Sequence, residues 1–355
     1  MINLSVPYLP KKTTYLKYID RIFETRCLTN KGPLVSELEE RLSGFLNVKN
    51  VICVANGTFA LQVAYKLLGV TNNVITTPFS FIATSSSLLW DGIEPIFVDI
   101  DKNTYNLDEK KIIKGDYSPE LIVATHVYGN PCQIDYVKNE LKSPPKIIYD
   151  ASHAFGVEVK DDSLFSWGDI SVASLHATKI FHTAEGGIIC TNDDSIAEEA
   201  RLRINFGFAG KDKIEALGIN GKMHEFSAAL GLAILDDMKD IIKKRSIISD
   251  IYAEKLSSHF LLQKFHHNSK NNHSWFSILC QNENQRDDIY FKLIKKGILL
   301  RRYFFPSLNK VKIFEKHYNC PVSESISSRI LCLPIHTELT EKEAVMVADE
   351  IIKLA

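Results

Sequence analysis

Residues 169–193 read DISVASLHATKIFHTAEGGIICTND. The two ends, DISVASL and GGIICTND, have the length and apolar character of buried strands, and the short connection between them carries one lysine, Lys179. Lysines ordinarily sit on solvated helix faces among other charges, and are almost never drawn into a core without a partner. A lysine held between two core strands therefore asks for a chemical reason.

Working upstream, residues 50 to about 190 alternate short apolar runs with helical patterns. VKNVICVA reads as a strand and GTFALQVAYKLLGV as a helix closed by Gly69, and NNVITTP then leads to SFIATSSSLLWDG. EPIFVDID, PELIVATHVYG and KIIYDASHAFG are further strands that end in polar residues. This rhythm predicts βα units and a mainly parallel sheet, with ligands gathered at the carboxyl ends of the strands. Downstream, HEFSAALGLAILDDMKDIIKKRSIISDIYAEKL predicts one long helix from Glu225 to Leu256, and the segments after it a smaller α+β unit. The expected division is a large α/β domain over 1–240 and a small α+β domain over 241–355, in keeping with a length of 355 residues.

Composition narrows the class. Hydrophobic residues make up 45% and charged residues 24%, and the net charge is −1, so no broad basic surface points to nucleic acid or an anionic membrane. Seven scattered cysteines without a C-x-x-C pair read as buried free thiols in a reducing compartment, with no metal site. The amino terminus lacks a signal-peptide core and no long apolar run occurs, so a cytoplasmic protein is expected.

Three stretches join Lys179 at the strand ends. In NGTFALQVA, Gly57 and Thr58 stand where a strand turns into a helix, and free amides and the helix dipole there favour an anion; an Asn-Gly turn capped by Thr58 would look the same. In IIYDASHAFG, Asp150 ends an apolar strand and His153 follows three residues later. That carboxylate needs a cationic partner or serves as a helix cap. A lysine withdrawn from water has a depressed pKa, and its neutral amine can attack a carbonyl carbon. An anion cradle, a buried aspartate and such a lysine, in this order, meet the needs of pyridoxal 5′-phosphate: donors for phosphate, a carboxylate for the pyridine nitrogen, and an amine for the aldehyde.

These motifs, together with LTNKGPLVSELEERLSGFLNVKN, TTPFSFIATSSSLLWDGIEPIFVDID, HVYGNPCQID, GINGKMHEFSAALGLAIL and LCLPIHTELTEKE, make the chain resemble the sugar aminotransferases of the DegT/DnrJ/EryC1/StrS family over nearly its whole length. The resemblance implies the aspartate aminotransferase fold (fold type I) and a homodimer with shared active sites. It also implies a nucleotide-linked keto sugar and glutamate as substrates. Under it, Lys179 matches the lysine that anchors the cofactor covalently, Asp150 the partner of the pyridine nitrogen, and His153 the residue against one ring face. Phe81 matches an aromatic covering the other face, Gly57, Thr58 and Ser174 match the phosphate ligands, and Asn220 matches an asparagine reaching the same phosphate from the second subunit. Two departures stand out: Gly221-Lys222 after the asparagine, where the family usually has an aromatic then arginine, and Ala177 where it commonly has proline. The first bears on how the partner loop docks.

The implied reaction converts a dTDP-linked 4-keto-6-deoxyhexose to the 4-amino sugar for surface polysaccharide such as O-antigen. Amination of a 3-keto sugar, or sugar dehydration on the same scaffold, are the alternatives, although dehydratase relatives carry histidine in place of the lysine. Further candidates stay open. His126, Tyr128 and Asn130 could line the sugar site or form a polar turn. RRYFFP, Arg301 to Pro306, could offer cations to a diphosphate or to the donor's carboxylates, or simply be exposed. Thr29 and Asn30 match the segment that meets substrate at the site's mouth.

Overall fold

The structure, a computed structural model, describes residues 1–115, 117–316 and 318–355. Seven strands make the central sheet: β1 (Asn50–Val54), β2 (Val74–Thr76), β3 (Pro95–Phe97), β4 (Leu121–Thr125), β5 (Lys146–Asp150), β6 (Ile170–Ser174) and β7 (Gly187–Thr191). Their order is β1-β7-β6-β5-β4-β2-β3. The pairs β2 with β3, β2 with β4, β4 with β5 and β5 with β6 are parallel, whereas β7 runs antiparallel to both β1 and β6. Nearly every residue of these strands is buried, as expected of a sheet covered on both faces.

The reversed strand decides where the site lies. Because β7 returns beside β6, with Ser174 paired to Gly187, the segment carrying Lys179 is a tight excursion at the edge where the parallel strands present their carboxyl ends. Its backbone is pinned: Leu175 N–H donates to Gly186 O (2.8 Å), Ala177 N–H to Ala184 O (2.7 Å) and Lys179 N–H to His176 O (2.9 Å).

The long helix predicted from Glu225 to Leu256 is two helices, Glu225–Leu235 and Met238–Leu256. The break falls at Asp236 and Asp237, whose carboxylates are drawn apart to Arg41 (2.6 Å) and to the Tyr8 hydroxyl (2.8 Å). Ala228, Leu232, Met238 and Ile241 pack into the core beside the sheet with Leu34 and Leu38. From two turns later onward, Ile248, Tyr252 and Leu256 belong to a separate core with Ile278, Leu331 and Val347. That second core sits on a small antiparallel sheet of Leu261–Leu262, Ser277–Leu279 and Ile330–Cys332.

All seven cysteines are free; six are buried and Cys27 is half-buried. Among the described residues no helix is long and apolar enough to cross a membrane.

Candidate active site

A cavity of about 750 Å³ opens at the carboxyl edge of the sheet, and its lining includes Gly57, Thr58, Phe81, Asp150, His153, Ser174 and Lys179. Sequence positions more than 120 residues apart are thus brought to one cavity by the strand order.

At one end of the cavity the Gly57–Leu67 helix begins. Asn56 caps it, its Oδ1 accepting from Phe59 N–H at 2.8 Å, and the N–H groups of Gly57 and Thr58 in the first turn have no acceptor within the helix. Gly57 is required there by close approach: a Cβ would lie 2.7 Å from Ser174 Cβ. Gly187 is required for the same reason, since its Cβ would meet the Asn56 carbonyl carbon at 2.5 Å. The two glycines let the helix start settle between β6 and β7, forming a cradle of amides and the Thr58 and Ser174 hydroxyls that suits a phosphate.

Asp150, 6% exposed, ends β5 and lines the cavity. Its Oδ2 accepts from the Thr84 hydroxyl (2.8 Å) and its Oδ1 from Ser152 N–H (3.1 Å). Thr84 is itself tied to Ser80 (2.8 Å), and Ser80 to Thr125 (2.9 Å). Stripping a carboxylate of such partners costs several kcal/mol, so this network fixes a charge where a positive N–H of a ligand would complete it. Ser152 links both ends, because its hydroxyl accepts from Ser174 N–H at 3.0 Å.

His153 lies buried beneath the cavity. Its Nδ1 accepts from Tyr128 N–H at 3.3 Å, and burial, with Lys179 and Arg301 nearby, holds its pKa well below the histidine range. The ring is therefore neutral with its proton on Nε2, and presents a flat face rather than a charge. Phe81, 46% exposed, also lines the cavity, its ring 6.3 Å from that of Tyr303. Burial lowers the Lys179 amine to about 8; Asp150 opposes that shift and Arg301 adds to it. Near neutral pH a useful fraction of the amine is uncharged and nucleophilic.

The residues present fit pyridoxal 5′-phosphate: a cradle for its phosphate, Asp150 for its ring nitrogen, Lys179 for its aldehyde, and His153 and Phe81 for its two faces. Other sequence candidates fall elsewhere. Asn220 is exposed and lies outside this cavity. Thr29 is exposed, and Asn30 borders a separate cavity of about 290 Å³ with Lys31, Glu39, Arg201 and Lys222. His126 and Asn130 do not line the sugar space. His126 is fully buried, stacked on Tyr149 at 4.6 Å, with Nδ1 accepting from Cys132 N–H (2.9 Å) and its pKa pushed down to about 3 by burial. The Asn130 amide instead bonds the carbonyls of Thr104 (3.2 Å) and Lys264 (3.0 Å). Tyr128 is buried under His153.

From RRYFFP, Arg301, Tyr303 and Phe304 reach the cavity, while Arg302 turns to Asp287 at 3.4 Å. Thr84 was not legible as a site residue; the hydroxyl run ATSSS on an otherwise apolar helix was its only signal.

The sequence profile of the DegT/DnrJ/EryC1/StrS aminotransferase family matches residues 11–352. The chain is 38% identical over 352 residues to the dTDP-4-amino-4,6-dideoxy-D-glucose transaminase of Shigella dysenteriae, covering 96% of this chain and 95% of that one. A protein of the same name from Escherichia coli is 35% identical, with coverage of 98% and 96%. The crystal structure of DesI with its TDP-sugar product superposes with a TM-score of 0.92 at 30% identity, covering 99% of this chain and 93% of that one. In sequence and fold alike, the chain belongs to the DegT/DnrJ/EryC1/StrS family, and it is an aminotransferase that uses pyridoxal 5′-phosphate.

Proposed function

We propose that the enzyme aminates C4 of a dTDP-linked 4-keto-6-deoxyhexose, with glutamate as donor, giving a 4-amino-4,6-dideoxyhexose. The observation that carries this reading is the 38% identity, over 96% of the chain, to a transaminase named for that product. The cavity of about 750 Å³ supports it, being large enough for a cofactor and a sugar together. Lys179 in the anchoring position disfavours sugar dehydration on the same scaffold.

When bound, the cofactor supplies an aldehyde to receive amino groups and a ring that accepts the electron pair left as a proton departs. The chain does the rest. Lys179 Nζ, neutral in part near pH 7, takes the proton from the donor's α-carbon and delivers it to the carbon that receives nitrogen. Asp150, held by Thr84 and Ser152, keeps a proton on the ring nitrogen. Neutral His153 and Phe81 hold the ring between them, and the cradle of Gly57, Thr58 and Ser174 fixes the phosphate end. The same groups act in reverse order on the keto sugar.

The working unit in this reading is a cytoplasmic homodimer in which Asn220 serves the partner's phosphate, a role supported by its position outside its own chain's cavity. The division at residue 240 between large and small domains is supported by the change of core within the Met238–Leu256 helix. Surface polysaccharide, such as O-antigen, is the proposed destination of the product. The test is a panel of dTDP-, UDP- and GDP-linked keto sugars incubated with cofactor and glutamate and read by mass. Conversion of the dTDP 4-keto sugar ahead of the others is expected; amination only at C3, or only of another nucleotide's sugar, would overturn the assignment.

A further inference from the structure

Two side-chain cations line the cavity, Lys179 and Arg301. Lys179 belongs to the cofactor. Arg301 has no evident work, and its surroundings show that it is kept free. Its backbone is fixed on both sides to Cys332, accepting at 2.8 Å and donating at 3.1 Å. Its guanidinium carbon lies 4.2 Å from the centroid of the Tyr303 ring. Among the described residues the guanidinium makes no ion pair and no side-chain hydrogen bond. The neighbouring arginine is engaged: Arg302 reaches Asp287 and the Tyr290 ring. Arg301 is thus oriented through its flat face, leaving its fork of N–H donors for a planar oxyanion.

Position tells which oxyanion. Tyr303, beneath the guanidinium, packs 5.8 Å from the His153 ring and 6.3 Å from the Phe81 ring, so Arg301 stands by the residues that would sandwich the reacting ring. The phosphate cradle at Gly57 lies at the helix start and has its own donors. Neither carboxylate of the lining pairs with the arginine: Asp150 accepts from Thr84 and Ser152, and Glu185 faces His176 at 3.7 Å. An amino acid that reacts through its nitrogen carries a carboxylate on the very carbon that loses its proton. The diphosphate of a nucleotide sugar hangs from C1, across the ring from C4.

We propose that Arg301 is the receptor for the α-carboxylate of the amino donor, and so governs the donor half of the reaction separately from the sugar half. This rests on the aminotransfer reading above, but not on glutamate, since every amino-acid donor carries that group.

The test uses holoenzyme of wild type, Arg301→Ala and Arg301→Lys, with the two halves of the reaction measured apart. Release of 2-oxoglutarate from glutamate without sugar reports the first half. Consumption of the keto sugar by enzyme loaded with pyridoxamine 5′-phosphate reports the second. Arg301→Ala is expected to lower kcat/KM of the first half roughly 10–150-fold, the worth of one charge-assisted hydrogen bond, chiefly through KM. Arg301→Lys should recover part of it, and the second half should stay near wild type when both are compared above the Lys179 midpoint, where the amine is neutral in every variant.

Equal losses in both halves, or an unchanged first half, would overturn the proposal. Calorimetric binding of glutarate and of dTDP adds an arm that needs no turnover: glutarate should bind Arg301→Ala more weakly, and dTDP equally. A loss confined to dTDP would give Arg301 to the diphosphate instead. If wild type released a keto acid only from another amino acid, the donor named above would fall, and the same Arg301 comparison made with that amino acid would still decide.

Discussion

The floor of the cavity and the loop that carries Asn220 are built on opposite plans. On the floor, Asp150, Ser152, Thr84, Ser80 and Thr125 bond one another in an unbroken series, and His153 is closed in by Tyr128, Trp275 and Phe304. The chain completes this part alone. Around Asn220 the reverse holds: Ile214 is 67% exposed, Leu217 83% and Ile219 57%, and Phe206 is 48% exposed nearby. A concentration of apolar side chains left in water on one loop calls for a cover. Reaction chemistry sits on strand ends, whereas Asn220, proposed above as the last phosphate ligand, is carried on an apolar surface left in water, as the proposed contact with a second copy requires.

This contrast can be broken at the floor first. Lys179→Ala should lower turnover by at least roughly 10²–10⁴-fold, the range for lost proton transfer, and borohydride reduction of wild type should leave the cofactor attached to Lys179 in peptide maps. An adduct on a different lysine would break the assignment. Asp150→Asn should leave the cofactor bound while slowing turnover by about 10²–10³-fold, because a neutral amide cannot hold the ring nitrogen's proton. Near-wild-type turnover would reduce Asp150 to a structural cap.

At the loop the expected effect is smaller and of another kind. Asn220→Ala should weaken cofactor retention by about 1.5–3 kcal/mol, seen in equilibrium dialysis, with turnover restored at saturating cofactor. A fall in turnover that added cofactor does not repair would mean that the loop also shapes the floor. The smallest shift is in pH. Because the amine of Lys179 titrates near 8, below the ordinary lysine value, cofactor capture by apoenzyme should rise with pH and reach half its maximum near 8. Arg301 lowers that pKa, so Arg301→Ala should move the midpoint upward; a downward move would contradict the placement of Arg301.

The same contrast separates what the sequence revealed from what it hid. Strands β1 and β3 to β7 were legible because a sheet covered on both faces needs continuous apolar runs. The direction of β7 was not, since apolar character is the same whichever way a strand runs. The helix break at Asp236 and Asp237 was hidden because the partners their carboxylates hold there, Arg41 and Tyr8, lie 195 and 229 positions away. Lys179 and Asp150 stood out as charges in apolar surroundings. Thr84 did not, because a hydroxyl on a small-residue helix carries no such contrast and acts on a carboxylate 66 positions distant. His126 stayed open between a ligand group and a polar turn, because a polar residue at a strand end reads the same either way until its ring is seen stacked on Tyr149.

The central claim, that one chain's floor is completed by another chain's loop, is met most directly by mixing two defective proteins. Lys179→Ala subunits are exchanged with Asn220→Ala subunits at limiting cofactor, exchange is verified by mass, and transamination is assayed. With shared sites, each heterodimer holds one site bearing both lesions and one intact, so an equal mixture should regain about a quarter of wild-type activity. If Asn220 serves its own chain, every site stays damaged, and activity no greater than that of the separate variants after proven exchange would contradict the account.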